Sequence, residues 1–245
     1  MNRGLYTIAE NGEVAEGIFL LELKSADENG CISGEFVNIT IPGKYLKRPI
    51  SVMEAGPGFI KLLYKVMGEG TELLSKMNSG EKVELLTGLG KGFDVSKTQQ
   101  KALLVGGGMG VAALVSLAGK LAKEKKQCCA ILGFGSKKDV ILEKEFLKAG
   151  VEVIITTLDG THGMKGLVTD AIAARKPEYD FFYACGPMPM MKALHGTLST
   201  SGEYSLEERM GCGAGFCYGC SIETAHGPKR VCKDGPVFEK EDMLW

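Results

Sequence analysis

The 245-residue sequence lacks any apolar run of about 18 residues, the length at which a helix can cross a bilayer, so no membrane span is expected. Met1 to Glu10 carry neither a basic n-region nor an apolar h-region, so no secretory leader is expected, and the compartment implied is the cytoplasm. Neither sign of charge dominates: the net charge is -1, which argues against a basic nucleic-acid binder and against an acidic disordered tail. No internal repeat or low-complexity tract is present. Only three histidines occur, His162, His195 and His226. Their positions show neither metal spacing nor a paired carboxylate, so ordinary surface or core roles are expected.

What is present is an apolar fraction of 44%, enough for a proper core, and 34 glycines that cluster rather than scatter. Clustered glycine suggests close backbone approach to ligands. Eight cysteines in a reducing compartment are not read as disulfides. Cys31, Cys128 and Cys129 read as small buried apolar residues.

Two patterns divide the chain. Gly17 to Lys24, Phe36 to Ile41, Ile50 to Glu54, Phe59 to Val66 and Val83 to Leu86 read as short strands separated by Gly or Pro, which predicts a small antiparallel barrel over 1–97. Thr71 to Met77 is the one helix expected there. From 98 to 202 strands alternate with helices, which predicts a parallel-sheet α/β domain. Its strands fall at Ala102 to Val105, Ala130 to Phe134, Val151 to Thr156 and Asp180 to Ala184, with helices between them and a last helix from Met188 to Ser199. From about Ser205 periodicity disappears, and the segment 203–245 is too short to bury a core of its own. A metal centre could hold it together.

That tail contains Cys212-x4-Cys217-x2-Cys220-x11-Cys232. The spacing matches the plant-type [2Fe–2S] pattern, in which four thiolates surround two irons. Gly211, Gly213, Gly215 and Gly219 let the backbone wrap a cluster and aim N–H groups at its sulfurs. Structural zinc is the competing reading, although zinc sites usually present two close Cys pairs and only one is found here. Such a site would belong to a non-redox, zinc-stabilised nucleotide-binding module.

Gly106-Gly107-Gly108-Met109-Gly110 follows a strand and opens a helix. Gly108-x-Gly110-x-x-Ala113 fits the dinucleotide fingerprint, in which free N–H groups and the positive helix end receive a pyrophosphate. The acidic residue expected about 20 positions on is missing. Gly133-Phe134-Gly135-Ser136-Lys137-Lys138 stands there instead, which leaves NAD versus NADP open.

Two further patches carry a resemblance. Arg48-Pro49-Ile50-Ser51 sits on a barrel strand, and Cys185-Gly186-Pro187-Met188 sits where a late α/β strand meets its helix. In this order, with the glycine loop between them, they resemble the ferredoxin–NADP reductase superfamily. The trailing cysteines and the run Lys229 to Phe238 narrow the resemblance to electron-transfer subunits of dihydroorotate dehydrogenase B, over nearly the whole chain.

The resemblance implies an FAD-binding barrel, an NAD-binding α/β domain and a C-terminal [2Fe–2S] segment, with NAD(H) as cosubstrate. Arg48 would pair with the FAD pyrophosphate, Ser51 would bond near the reactive flavin nitrogen, and Leu63, Tyr64 and Lys65 would lie along the flavin or its ribityl chain. Gly70 and Thr71 would open a helix that receives a phosphate. Arg48 as a salt-bridge partner and Gly70-Thr71 as a plain helix cap are the alternatives. Cys185, Gly186 and Pro187 would lie near the nicotinamide, and Cys185 could instead be a small residue at a crowded strand end. Asp159-Gly160-Thr161 either borders the nucleotide or is a plain loop. Trp245 either covers the flavin or packs against the barrel. The implied partner is the FMN-containing dihydroorotate dehydrogenase catalytic subunit of pyrimidine biosynthesis, in a heterotetramer of two of each chain. A flavin/iron–sulfur subunit of a ferredoxin:NADP or sulfide-linked oxidoreductase is the alternative within the superfamily.

Overall fold

The computed structural model describes residues 1–25 and 34–245, so Cys31 lies outside the described residues. The first elements are β1 (Asn2–Ala15), β2 (Ile18–Lys24), β3 (Phe36–Ile39), β4 (Arg48–Gly56), β5 (Phe59–Lys65), α1 (Glu69–Ser75) and β6 (Lys82–Leu89). The strands close into an antiparallel barrel in the order β1-β2-β5-β4-β3-β6. Period-two alternation turns Leu21 and Leu23, Val37 and Ile39, Ile50 and Val52, Ile60, Leu62 and Tyr64, and Val83 and Leu85 into one buried cluster. The longest strand, β1, is absent from the sequence reading. Asn11-Gly12 interrupts its alternation, and its register against β2 shifts between Ile8 and Glu10 and again between Glu13 and Ala15. Bulges of this kind spoil a strict period of two.

The α/β part runs β7 (Lys101–Gly107), α2 (Val111–Lys123), β8 (Gln127–Phe134), α3 (Glu143–Lys148), β9 (Glu152–Thr157), β10 (Met164–Lys165), α4 (Val168–Arg175), β11 (Phe181–Cys185), α5 (Met188–Thr197) and β12 (Gly202–Ser205). A small hairpin of β13 (Ser221–Ile222) and β14 (Lys229–Arg230) follows, and then β15 (Val237–Glu239). The large sheet has the order β10-β9-β8-β7-β11-β12-β15, all parallel except β15. The strand order reverses at β7, with β8 on one side and β11 on the other. In open α/β sheets the crevice at such a reversal, outside the carboxyl ends of the strands, is where ligands bind. Cys128 and Cys129 are half-buried on β8 rather than fully buried, and burial pushes both thiols up to about 11.

The described residues form two compact units. One comprises Met1–Gly92, Glu207–Ile222 and Pro228–Pro236; the other comprises Phe93–Leu206, Glu223–Gly227 and Val237–Trp245. By compactness the tail is thus shared, whereas the sequence suggested a separate segment over 203–245. Every cluster-candidate cysteine falls in the barrel's unit. β12 and β15 extend the α/β sheet. Trp245 also belongs to the α/β unit, where its ring lies 5.1 Å from Tyr204 and 5.8 Å from His195.

Candidate functional site

On the barrel, Arg48 and Gly70 come from patches 22 residues apart and meet. A Cβ on Gly70 would stand 2.3 Å from Arg48 Nε, so the guanidinium lies flat over the first turn of α1. Arg48 Nη1 donates to the Leu46 carbonyl at 2.6 Å. The helix opens at Glu69, so Gly70 sits inside its first turn. Thr71 is engaged in local capping: its Oγ1 accepts from the Met67 N–H at 2.9 Å and donates to the Gly68 carbonyl at 3.0 Å. A cationic fork and a helix start converge here, an arrangement suited to a phosphate group.

Along β4, Ile50 faces the barrel core while Ser51 is half-buried on the other face. On β5 the alternation separates the three expected residues. Leu63 and Lys65 lie on the outward register; Leu63 is buried and Lys65 exposed. Tyr64 points into the core, stacks on Phe19 at 5.6 Å, and donates to Asn11 Oδ1 at 2.9 Å. Its side chain is committed to the barrel interior, so only its main chain is open to a ligand.

In the α/β unit the ladder between β7 and β11 pairs Gly106 with Cys185. The glycine loop and the Cys185-Gly186-Pro187 turn, 75 or more residues apart in sequence, therefore share the carboxyl edge at the reversal of strand order. They touch: a Cβ on Gly110 would stand 2.4 Å from the Cys185 carbonyl oxygen, and one on Gly107 would stand 2.6 Å from Met190 Sδ. Gly108 takes φ +53 with open space around its Cα, the backbone state a side chain disfavours and the clearance a dinucleotide requires. Cys185 itself is 1% exposed, as befits a small residue at a crowded strand end. Lys137 and Lys138 are exposed. The loops after β8 and β9 are joined by the Lys137 N–H, which donates to Thr161 Oγ1 at 2.8 Å.

The four tail cysteines lie along one looped segment of the barrel's unit. Cys212 Sγ accepts N–H bonds from Ala214, Phe216 and Cys217 at 3.4, 3.2 and 3.4 Å. Cys217 Sγ accepts from Cys212 N–H at 3.4 Å, Cys220 Sγ from Cys232 N–H at 3.4 Å, and Cys232 Sγ from Gly215 N–H at 3.2 Å. Burial works against the Cys212 thiolate, but its N–H donors outweigh that and lower the thiol to about 6. Burial and the neighbouring Cys220 push Cys232 up. Cys212 interacts with Cys217, and Cys232 interacts most strongly with Cys220 and also with Cys212. Among the described residues no three His, Cys, Asp or Glu side chains converge on one point fit for a single ion. Four thiols bristling with N–H donors fit a two-iron cluster, whose sulfurs accept such bonds.

The loop is fastened to the outer face of β3. Asn38, 2% exposed, donates through Nδ2 to the Cys212 carbonyl at 3.3 Å, and a Cβ on Gly213 would stand 2.0 Å from that nitrogen. The ladder between β3 and β4 pairs Asn38 with Pro49 and Phe36 with Ser51. The cysteine loop and the Arg48-to-Ser51 motif therefore occupy adjacent strands of one barrel wall. Sequence reading missed Asn38, whose only signal is a polar residue inside an apolar strand. It also missed Arg230 and Asp234, which brace the loop from the other side.

Comparison with known proteins agrees with this geometry. Residues 207–244 match the family described as the iron-sulfur cluster binding domain of dihydroorotate dehydrogenase B, and residues 104–196 match the oxidoreductase NAD-binding domain. The iron–sulfur match decides against structural zinc. A dihydroorotate dehydrogenase B (NAD(+)) electron transfer subunit of Fusobacterium nucleatum is 39% identical over 97% of this chain and 96% of its own. One of Bacillus pumilus is 40% identical over 99% and 98%. A solved NADH-dependent reduced ferredoxin-NADP oxidoreductase superposes with a TM-score of 0.89 at 30% identity, covering 99% of this chain and 90% of that one. A flavohemoglobin from Malassezia yamatoensis shares the fold at a TM-score of 0.70 and 16% identity. With full-length relatives at this identity, two matching domain families and a barrel wall that carries the cysteine loop, the chain belongs to the family of dihydroorotate dehydrogenase B electron transfer subunits.

Proposed function

We propose that the chain moves electrons between NAD(H) and the FMN-containing catalytic subunit of dihydroorotate dehydrogenase, in pyrimidine biosynthesis, using FAD on the barrel and a [2Fe–2S] cluster in the tail. The observation that carries this reading is the shared wall of β3 and β4. Asn38 donates its side-chain amide to the Cys212 carbonyl two ladder rungs from the Phe36–Ser51 pair, so a side-chain hydrogen bond and the β3–β4 main-chain ladder together hold loop and motif at a fixed separation. When bound, FAD exchanges a hydride with nicotinamide and single electrons with an iron–sulfur centre, which reconciles two-electron with one-electron chemistry.

The residues divide the work. Arg48 and the start of α1 at Gly70 and Thr71 neutralise and orient the FAD pyrophosphate. Pro49 and Ile50 set the strand that presents Ser51 toward the flavin, and the main chain from Leu63 to Lys65 borders it. Gly106, Gly107, Gly108, Met109 and Gly110 admit the dinucleotide pyrophosphate at the head of α2, with Cys185, Gly186 and Pro187 at the nicotinamide end. Cys212, Cys217, Cys220 and Cys232 ligate the irons. Cys217 is the exposed ligand, flanked by Phe216 and Tyr218, which are 75% and 66% exposed. That edge suits docking of the catalytic subunit, two copies of each chain forming the assembly in the cytoplasm.

Anaerobic purification, an absorption spectrum, and iron and acid-labile sulfide assays test the reading. One FAD and about two irons per chain are expected. Cys217→Ser is expected to lose iron and sulfide while NADH still bleaches the flavin absorbance. A colourless zinc protein would refute the proposal.

A further inference from the structure

The most densely engaged side chain around the cysteine loop belongs to a residue that ligates nothing. Arg230, on β14 two positions before Cys232, spreads its guanidinium over three targets. Nη1 donates to the Gly215 carbonyl at 2.8 Å. Nε donates to Asp234 Oδ2 at 3.0 Å, and Nη2 reaches Asp234 Oδ1 at 3.4 Å. The cation lies 4.9 Å from the centroid of the Tyr218 ring. Its own N–H also donates to Asp234 Oδ2 at 2.8 Å, and its carbonyl accepts from the N–H groups of Lys233 and Asp234.

Two of these targets are places where the loop needs restraint. Gly215, at φ +86, uses its other peptide group on the metal site: its N–H donates to Cys232 Sγ at 3.2 Å. Tyr218 is a non-glycine residue at φ +59, between Cys217 and Cys220. A left-handed tyrosine is strained, and it persists only where its surroundings hold it. Arg230 grips the peptide on one side of Cys217 and the ring on the other, and it does so from the hairpin that leads into Cys232. The loop bearing Cys212 and Cys217 is thereby tied to the segment bearing the fourth ligand, the turn that follows β14.

We infer that Arg230, locked by Asp234, is the positioning residue of the cluster site: it aims the Gly215 N–H at Cys232 Sγ, keeps the cysteine loop preformed, and so sets the ease of cluster reduction. This rests on the cluster assigned above. The fork is essential to the argument. A planar guanidinium can satisfy a carbonyl, a carboxylate and an aromatic face at once, and an ammonium cannot. Loss of the grip frees the Gly215 peptide, removes an N–H bond to a ligand sulfur, and makes the reduced, more negative cluster less stable.

The test uses the FAD- and cluster-loaded chain and its Arg230→Lys, Arg230→Gln and Asp234→Asn variants. The readouts are iron release to a chelator, the electron paramagnetic resonance spectrum of the reduced cluster, and its midpoint potential. Arg230→Gln is expected to release iron at least tenfold faster, and to lower the potential by about 59 mV, a tenfold change in the one-electron equilibrium. Arg230→Lys keeps the charge, yet is expected to behave like Arg230→Gln in iron release and in an altered spectrum. Asp234→Asn is expected to move all three readouts in the same direction by less, and it carries the test alone if the Arg230 variants fail to fold. Lysine restoring wild-type release and spectrum would overturn positioning in favour of bare charge, and unchanged readouts in Asp234→Asn would overturn the lock. A wild-type chain without iron and sulfide would instead overturn the cluster assignment itself.

Discussion

Gly213→Ala places two separate strains on the contact that fastens the cysteine loop to the barrel. Gly213 takes φ +60, and moving a side chain into that region costs about 1–2 kcal/mol. The new Cβ would also stand 2.0 Å from Asn38 Nδ2. Asn38 is buried and held in the β3 ladder, so the loop must give way, and its hydrogen bond to the Cys212 carbonyl is lost. A neutral hydrogen bond contributes about 1 kcal/mol. The two effects together reach about 2–3 kcal/mol, which corresponds to roughly a 30- to 150-fold weaker hold on the preformed loop. The assay is chelator-driven iron release from anaerobically purified protein, with flavin content as the control for barrel integrity. Asn38→Ala alone is expected to cost only the hydrogen bond, about fivefold. In the double variant the collision is gone, so its cost falls below the sum of the two single variants, the signature of coupled neighbours. Additive costs, or a Gly213→Ala protein that keeps iron as long as wild type, would refute the fastening of the loop through Asn38.

Gly110→Ala drives a Cβ into the Cys185 carbonyl, where both partners are backbone; NADH-dependent bleaching of the flavin is expected to fall at least tenfold, with flavin and iron content retained, as read by stopped-flow absorbance. On the proposed pairing of Arg48 with the FAD pyrophosphate, Arg48→Ala is expected to weaken FAD retention at least tenfold in a dilution assay, because a charge-assisted fork would be removed. Tyr64→Phe removes the bond to Asn11 and should lower the unfolding free energy by about 1 kcal/mol without changing flavin content, since the ring faces the core. Glu84 is held down to about 2 by Arg3 first and then Lys47. A depressed carboxylate contributes stability that is present above its unfolded value and lost as pH falls through the native one. Acid unfolding between about pH 4.5 and 2 should therefore be less steep in Glu84→Gln, by circular dichroism.

Legibility from sequence followed the range of the interactions. β7, β8, β9 and β11, the glycine loop and the cysteine spacing are readable because their signals are local: continuous apolar runs, glycines at a strand end, thiols at fixed intervals; the two-residue β10 is too short to give one. β1 is not readable, because its bulges break the period that identifies a strand. β12 and β15 were missed because Gly202–Ser205 and Val237–Glu239 are short, and pairing across more than thirty residues makes them strands. The resemblance implies that Tyr64 lies along the flavin or its ribityl chain; that its ring faces the core follows only from the alternation along β5. Asn38 and Arg230 act on residues 174 and 15 positions away, through contacts that no spacing announces.

The sharing of the tail between the two units has a consequence for electron flow. A segment without periodicity cannot fix a redox centre by its own packing, so its geometry must come from a rigid neighbour. That neighbour is the barrel wall. Asn38 is locked between β4 and β6 by main-chain ladders on both sides, and the Lys91 N–H at the end of the glycine turn after β6 donates to the Gly235 carbonyl at 2.6 Å, three residues beyond Cys232. The loop is thus pinned at one end to β3, which pairs with the Arg48-to-Ser51 motif on β4, and at the other to the turn that follows β6. Electron transfer falls steeply with distance, whereas dinucleotide exchange requires an open crevice. Placing the Arg48-to-Ser51 motif and all four cysteines in one compact unit keeps the separation between them constant, and this explains why the fourth cysteine returns to the barrel's unit before the last strand joins the other sheet.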